Sequence, residues 1–192
     1  MLKSRVETKT RIIDKGANNI FRQLEMMGDH TTITAGIQSP HGSRLPTYKG
    51  EVDGKTPIAE YADMNEYGTP TIPSRPFLRK TVAAKKDLFM TQSVANMRKL
   101  PKGGLASVFL KKQADTIAKW IKATIWTLRT PPNAPLTLRR KRRLKRGSNP
   151  LIFSGSMRDA VTATVHMSKG PKDRKLRRII NKINKATMRM KP

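Results

Sequence analysis

Apolar residues at 12, 13, 17, 20, 21, 24 and 27 recur at steps of three and four, which predicts an amphipathic helix over Val6 to Met27 with Gly28 as its stop. In HTTITAGIQ the pattern changes to strict alternation. Ile33, Ala35 and Ile37 fall on one side and threonines on the other, as in a half-buried strand. Residues 39 to 55 are dense in Gly and Pro and read as an exposed loop. TPIAEYADMNEYG predicts a short helix, with Thr56 as cap, Pro57 at the first helical position and Gly68 at the exit. The prolines at 70, 73 and 76 force an extended crossing.

Helical spacing returns with Phe77, Leu78, Val82, Phe89 and Val94. After a break at Pro101 to Gly104 it is clearest over Leu105 to Leu128, where Pro131 and Pro132 follow. Residues 130 to 150 read as a basic loop bracketed by prolines. Ser154 is expected to cap a helical turn through Arg158, and AVTATVHM alternates as a second strand with Val161, Ala163 and Val165 on one face. Leu176, Ile179, Ile180, Ile183 and Met190 mark a basic amphipathic helix near the carboxyl end. The expected fold class is α+β: a small, mostly antiparallel sheet packed with long amphipathic helices, an extended basic loop and a basic carboxyl-terminal helix. The expected division is a domain over 1–167 and an extension over 168–192.

Charge sharpens this picture. Residues 1 to 67 hold nine Lys/Arg and nine Asp/Glu, so the net charge of +27 resides wholly in residues 68 to 192. So large a charge opposes compaction unless something anionic neutralises it. The densest run is Arg139, Arg140, Lys141, Arg142, Arg143, Lys145 and Arg146, seven cations in eight positions. With no aromatic inside the run to stack bases, it is expected to contact phosphates without sequence preference or to meet an acidic partner. Trp126 and Phe153 flank it and read as core.

The chain has no cysteine, which excludes disulfides and thiolate chemistry. It shows no signal-peptide core and no apolar run long enough to span a bilayer, so a soluble protein without membrane partners is expected. GEVDGKT, residues 50 to 56, is one residue short of a phosphate-binding loop and carries two acids, so it reads as a surface turn. His30, His41 and His166 lie on unlike elements without metal or nucleophile spacing. Glu60, Asp63 and Glu66 read as one acidic helix face. No enzymatic constellation and no cofactor site is expected.

Two stretches, IAEYADMNEYGTPTIPSRPFLRKTV (58–82) and TPPNAPLTLRRKRRLKRGSNPLIFSGSMRDAVTATV (130–165), resemble the neck and tail-completion proteins of long-tailed bacteriophages and prophages. That family carries "A…NE[FY]GT…IPARPF[LM]R" and, after a helical middle, "PPLAP.T…RKG..KPLIDTG.LR.S". Glu66 and Gly68 stand in the "EYGT" turn; Pro73, Arg75, Pro76 and Phe77 stand in the hinge that follows, where Arg75 is expected to project from a rigid elbow into an assembly contact. Phe153 stands where the family has Asp, and the family's short "RKG" is expanded to RRKRRLKRG.

The resemblance implies a structural virion protein at the head-to-tail junction, assembled in the host cytoplasm, that joins or closes the tail. Its implied partners are copies of itself in a ring of on the order of six, or twelve. Neighbouring connector and tail-tube or sheath proteins, and packaged double-stranded DNA held by non-specific phosphate contact, complete the set. Composition alone also admits a basic nucleic-acid-binding protein of ribosomal or nucleoid kind.

Overall fold

The computed structural model describes residues 23, 31–49, 51–52, 54–100 and 104–167. The chain is α+β. In order it runs β1 (Thr32–Ile37), β2 (Thr47–Tyr48), β3 (Glu51–Val52), α1 (Ile58–Tyr67), α2 (Phe77–Met97), α3 (Ala106–Thr127), α4 (Pro135–Arg143), α5 (Ser156–Asp159) and β4 (Val161–His166). Among the described residues the sheet component is two antiparallel ribbons, β1 with β4 and β2 with β3.

The alternation of β1 and β4 explains their pairing. Their register sets Ile33 opposite Val165, Ala35 opposite Ala163 and Ile37 opposite Val161, so one face of the ribbon is apolar and the threonines occupy the other. That ribbon packs on α3, which also packs on α2. Phe77 from α2, Ile121 and Ile125 from α3, Leu151, Met157 from α5 and Val161 from β4 close into one core with Ile58 and Ala62 of α1. Burying a side chain such as Phe77, which has no exposed surface, contributes about 2–3 kcal/mol. Within GEVDGKT, Glu51 and Val52 form β3, the outgoing arm of the β2–β3 hairpin.

Both long helices begin at residues that cannot cap them. Pro76 precedes α2 and Leu105 precedes α3, and neither supplies a side-chain acceptor for the unpaired amides of the first turn. The missing acceptors come from elsewhere in the chain. Glu66 receives the amides of Leu78 and Arg79 at 2.9 and 3.1 Å, and Gln23 Oε1 receives the amide of Ala106 at 2.8 Å. Thr81 to Thr124 and Gln113 to Ser93 add polar bonds between α2 and α3 at 2.7 and 2.6 Å.

Several sequence expectations need correction. The basic stretch is not an extended loop, because Pro135 at its first turn and four cations in its last turn suit α4, where positive charge meets the carboxyl end of the helix dipole. Trp126 is 54% exposed, not core, and Val82, Val94 and Val108 also face solvent. Helix α1 starts one residue later than expected, after Pro57, whereas α2 starts at Phe77 as expected. Ser154 does accept the amide of Ser156 at 3.3 Å, although the residue at the cap of α5 is Gly155. The expected helix over 6–27, apart from Gln23, and the basic helix after 168 lie outside the described residues, as does His30. No helix among the described residues is long and apolar enough to cross a membrane.

Candidate functional site

The two stretches that carry the family resemblance meet in space, and Arg75 is where they are joined. Held extended between Pro73 and Pro76, it donates its amide to Asn65 O at 2.6 Å. Its guanidinium then spreads over three oxygens: Nε to Pro131 O and Nη2 to Pro132 O, both at 2.8 Å, and Nη1 to Asn65 Oδ1 at 3.2 Å. Proline carbonyls at 131 and 132 have no helix to enter, and the planar fork of arginine matches their spread. Arg75 is 3% exposed, so it does not project from the elbow as expected; it fastens the elbow to residues 131 and 132. All of these acceptors are neutral. Burial therefore pulls the Arg75 pKa below its ordinary value, and burial raises that of the neighbouring Tyr61 phenol.

Glu66 completes the same junction. It is 3% exposed and turned away from Glu60 and Asp63, which are exposed, so the three acids do not form one solvated face. Besides capping α2 it pairs with Arg79 at 3.1 Å, and its own carbonyl accepts Ser74 Oγ and Arg79 Nη2. Gly68 follows at φ 85°, and a Cβ there would meet Ser74 N at 2.9 Å, so the tight return from α1 to the hinge requires glycine. Phe77 is anchored in the core beneath.

A second internal cation holds the basic helix in place. Lys141 lies in the middle of the charge run yet is 2% exposed, and its Nζ donates to Asn149 O at 2.5 Å and Ile152 O at 2.7 Å. Asn149 in turn donates to Trp126 O at 2.6 Å, which ties this turn to the end of α3. Burial first, then the charges of Arg75 and Arg146, lower the Lys141 pKa to about 8. Lys141 is thus unavailable to an external phosphate, which corrects its place among the expected contact residues.

The remaining cations divide. Arg140 and Arg146 stand over the Phe153 ring at 5.2 and 4.3 Å from its centre, so this half-buried aromatic supports cations and is not simply core. Arg139, Arg142, Arg143 and Lys145 are exposed, and their side chains make no bond to other described residues. α4 ends in a two-bond turn, with Arg146 N on Lys141 O at 2.8 Å and Lys145 N on Arg142 O at 3.0 Å. Glycine usually fills the left-handed position of that turn. Here it is Lys145, at φ 52°, which costs about 1 kcal/mol and projects another cation beside the helix end.

The segment can therefore present several fixed positive charges to an extended anion while two buried cations lock its base. Among the described residues no group of His, Asp and Glu side chains could hold a metal ion. Sequence reasoning missed the inward direction of Arg75 and Lys141, the capping by Glu66 and Gln23, and the support given by Phe153. Only the position of Lys141 three residues after Leu138 in a leucine-bearing helix hinted that it shares an inner face. Family models, curated proteins and solved structures were all compared with the chain, and none matches.

Proposed function

We propose that this chain is a non-enzymatic structural subunit of the head-to-tail junction of a long-tailed phage or prophage particle, one copy in a ring around the DNA conduit. One observation carries the reading. The two stretches that resemble neck and tail-completion proteins, about 50 residues apart in sequence, are bonded into a single junction by Arg75 and stiffened by Glu66. The first stretch thus supplies the guanidinium and the second the carbonyls that it gathers, so the two serve one structural task.

Within this reading α4 and the turn that ends it present Arg139, Arg140, Arg142, Arg143 and Lys145 to packaged duplex DNA. Contacts confined to phosphates let DNA pass because they read no sequence, and ring symmetry multiplies a weak contact per copy. Residues 168–192 carry a further ten Lys/Arg against one acid. Phe153 replaces the family's Asp, so the cations are supported by a ring face rather than neutralised by a carboxylate, and their charge remains available to a partner.

The outward cations also favour a second reading, a basic nucleic-acid-binding protein acting outside any particle. Electron microscopy of particles assembled with and without the chain separates the two. The junction reading expects filled heads and finished tails that fail to join when the chain is absent, and ring-shaped density at the junction when it is present. Normal joining without the chain would leave the second reading.

A further inference from the structure

A recess of about 360 Å³ opens between the two joined stretches, beside α4. Its volume falls at the small end of ligand pockets, about 300–1,000 Å³. The floor is apolar, made by Ile58, Leu151 and Met157, all buried, with the Phe153 ring in the wall. Around it stand Lys55, Arg75 and Arg140, and among the described residues no Asp or Glu lines it. Three of the five guanidinium N–H groups of Arg75 go to neutral oxygens, so its charge is not cancelled locally. Arg140 is held at the rim by its stack on Phe153.

Asn133 supplies an independent observation. Its amide nitrogen is buried at the edge of the recess with no hydrogen-bond partner. A buried donor without an acceptor costs about 1–3 kcal/mol. Because this side chain holds no bond, rotating its amide toward the recess breaks none.

Positive potential, an unmet donor and an apolar floor together define the ligand chemistry. We infer that the recess binds a short peptide segment of a neighbouring protein in which a carboxylate stands next to an aromatic or aliphatic side chain: the apolar group on Ile58, Leu151 and Met157, the carboxylate between Arg140 and the Asn133 amide. A duplex cannot enter a recess of this size, so the site is distinct from the outward cations of α4 although Arg140 borders both. The inference rests on the lining and not on the virion reading, and it holds for whichever assembly the chain joins.

The test is a titration of the full-length chain followed by NMR, reading the Asn133 side-chain amide and the Met157 methyl. The probes are N-acetylphenylalanine as its carboxylate, the neutral N-acetylphenylalaninamide, acetate and a short DNA duplex, all at raised salt. Expected are saturable shifts of both signals with the carboxylate, at least tenfold weaker binding of the amide and of acetate, and no shift of Met157 with the duplex. Arg140→Gln and Asn133→Ala, each checked for a native spectrum, should each weaken carboxylate binding at least fivefold. Equal binding of the amide would remove the carboxylate from the site. Saturable Met157 shifts with DNA would make the recess part of the polyanion surface, and the absence of any saturable shift with the carboxylate would end the proposal. None of these outcomes depends on whether heads and tails join.

Discussion

Arg75 and Lys141 on one side, and Arg139, Arg142, Arg143 and Lys145 on the other, are the same two residue types placed in opposite surroundings. The first pair is buried and bonded to carbonyl or amide oxygens with no carboxylate between them; the second group is in water with no side-chain bond to the described residues. The difference teaches that a cation count does not locate a function. A buried guanidinium or ammonium here collects carbonyls that no secondary structure satisfies, and its charge is a cost that those bonds offset. An exposed one contributes little to stability and is available to a partner.

The comparison breaks most sharply at Arg75. Arg75→Ala orphans the carbonyls of Pro131 and Pro132 and the Oδ1 of Asn65, so a loss of about 3–5 kcal/mol in urea unfolding is expected. Arg75→Lys keeps the charge but not the fork and should recover less than half of it. A loss below about 1 kcal/mol would mean that the elbow stands without its arginine.

Glu66→Gln comes next. It keeps one oxygen for the first turn of α2 but removes the charge that the helix dipole and Arg79 favour, so about 1–2 kcal/mol should be lost, with α2 amides exchanging faster with solvent.

Lys141 tests the cost of the buried charge by pH. Its folded pKa, about 8, lies below the ordinary value of 10.5, so the unfolded chain binds the proton more tightly. This group therefore penalises folding fully below pH 8, and the penalty fades as pH rises from 8 to 10.5. The neutral amine still has two N–H groups for its two carbonyls. Wild type should thus gain on the order of 1–3 kcal/mol relative to Lys141→Met between pH 7 and pH 10. Parallel stability curves for the two proteins would remove the buried charge from the account.

The smallest effect on stability belongs to the exposed group. Replacing Arg139, Arg142, Arg143 and Lys145 by Gln should change unfolding by less than about 0.5 kcal/mol per site. In duplex binding, however, the log–log salt slope should flatten by roughly 0.9 for each side chain that touches phosphate. An unchanged slope, together with lost attachment of heads to tails, would assign these cations to an acidic protein surface.

Much of the fold was legible because periodicity survives in a single sequence. Alternation in β1 and β4 and the three-to-four spacing of α3 each reflect one face buried against a neighbour, and all three elements stand where the pattern put them. α4 was not legible. Seven cations in eight positions suppress any apolar stripe, so composition pointed to a loop although Pro135 already offered a helix start. The site was legible as an address only. The motif positions at 66, 68, 73, 75, 76 and 77 do cluster, but what Arg75 and Glu66 bond to lies far along the chain, at 131 and 132 for one and at 78 and 79 for the other.

The sequence by itself determined the α+β alternation, the breaks at proline and glycine, and the confinement of excess charge to residues 68–192, because these depend on neighbours a few positions away. Only the tertiary structure decided which cations face inward, which acid caps α2 and which amide caps α3. Those choices turn on oxygens and amides left unsatisfied by secondary structure, and a buried polar group is satisfied by whatever the fold brings within about 3 Å, however distant in sequence.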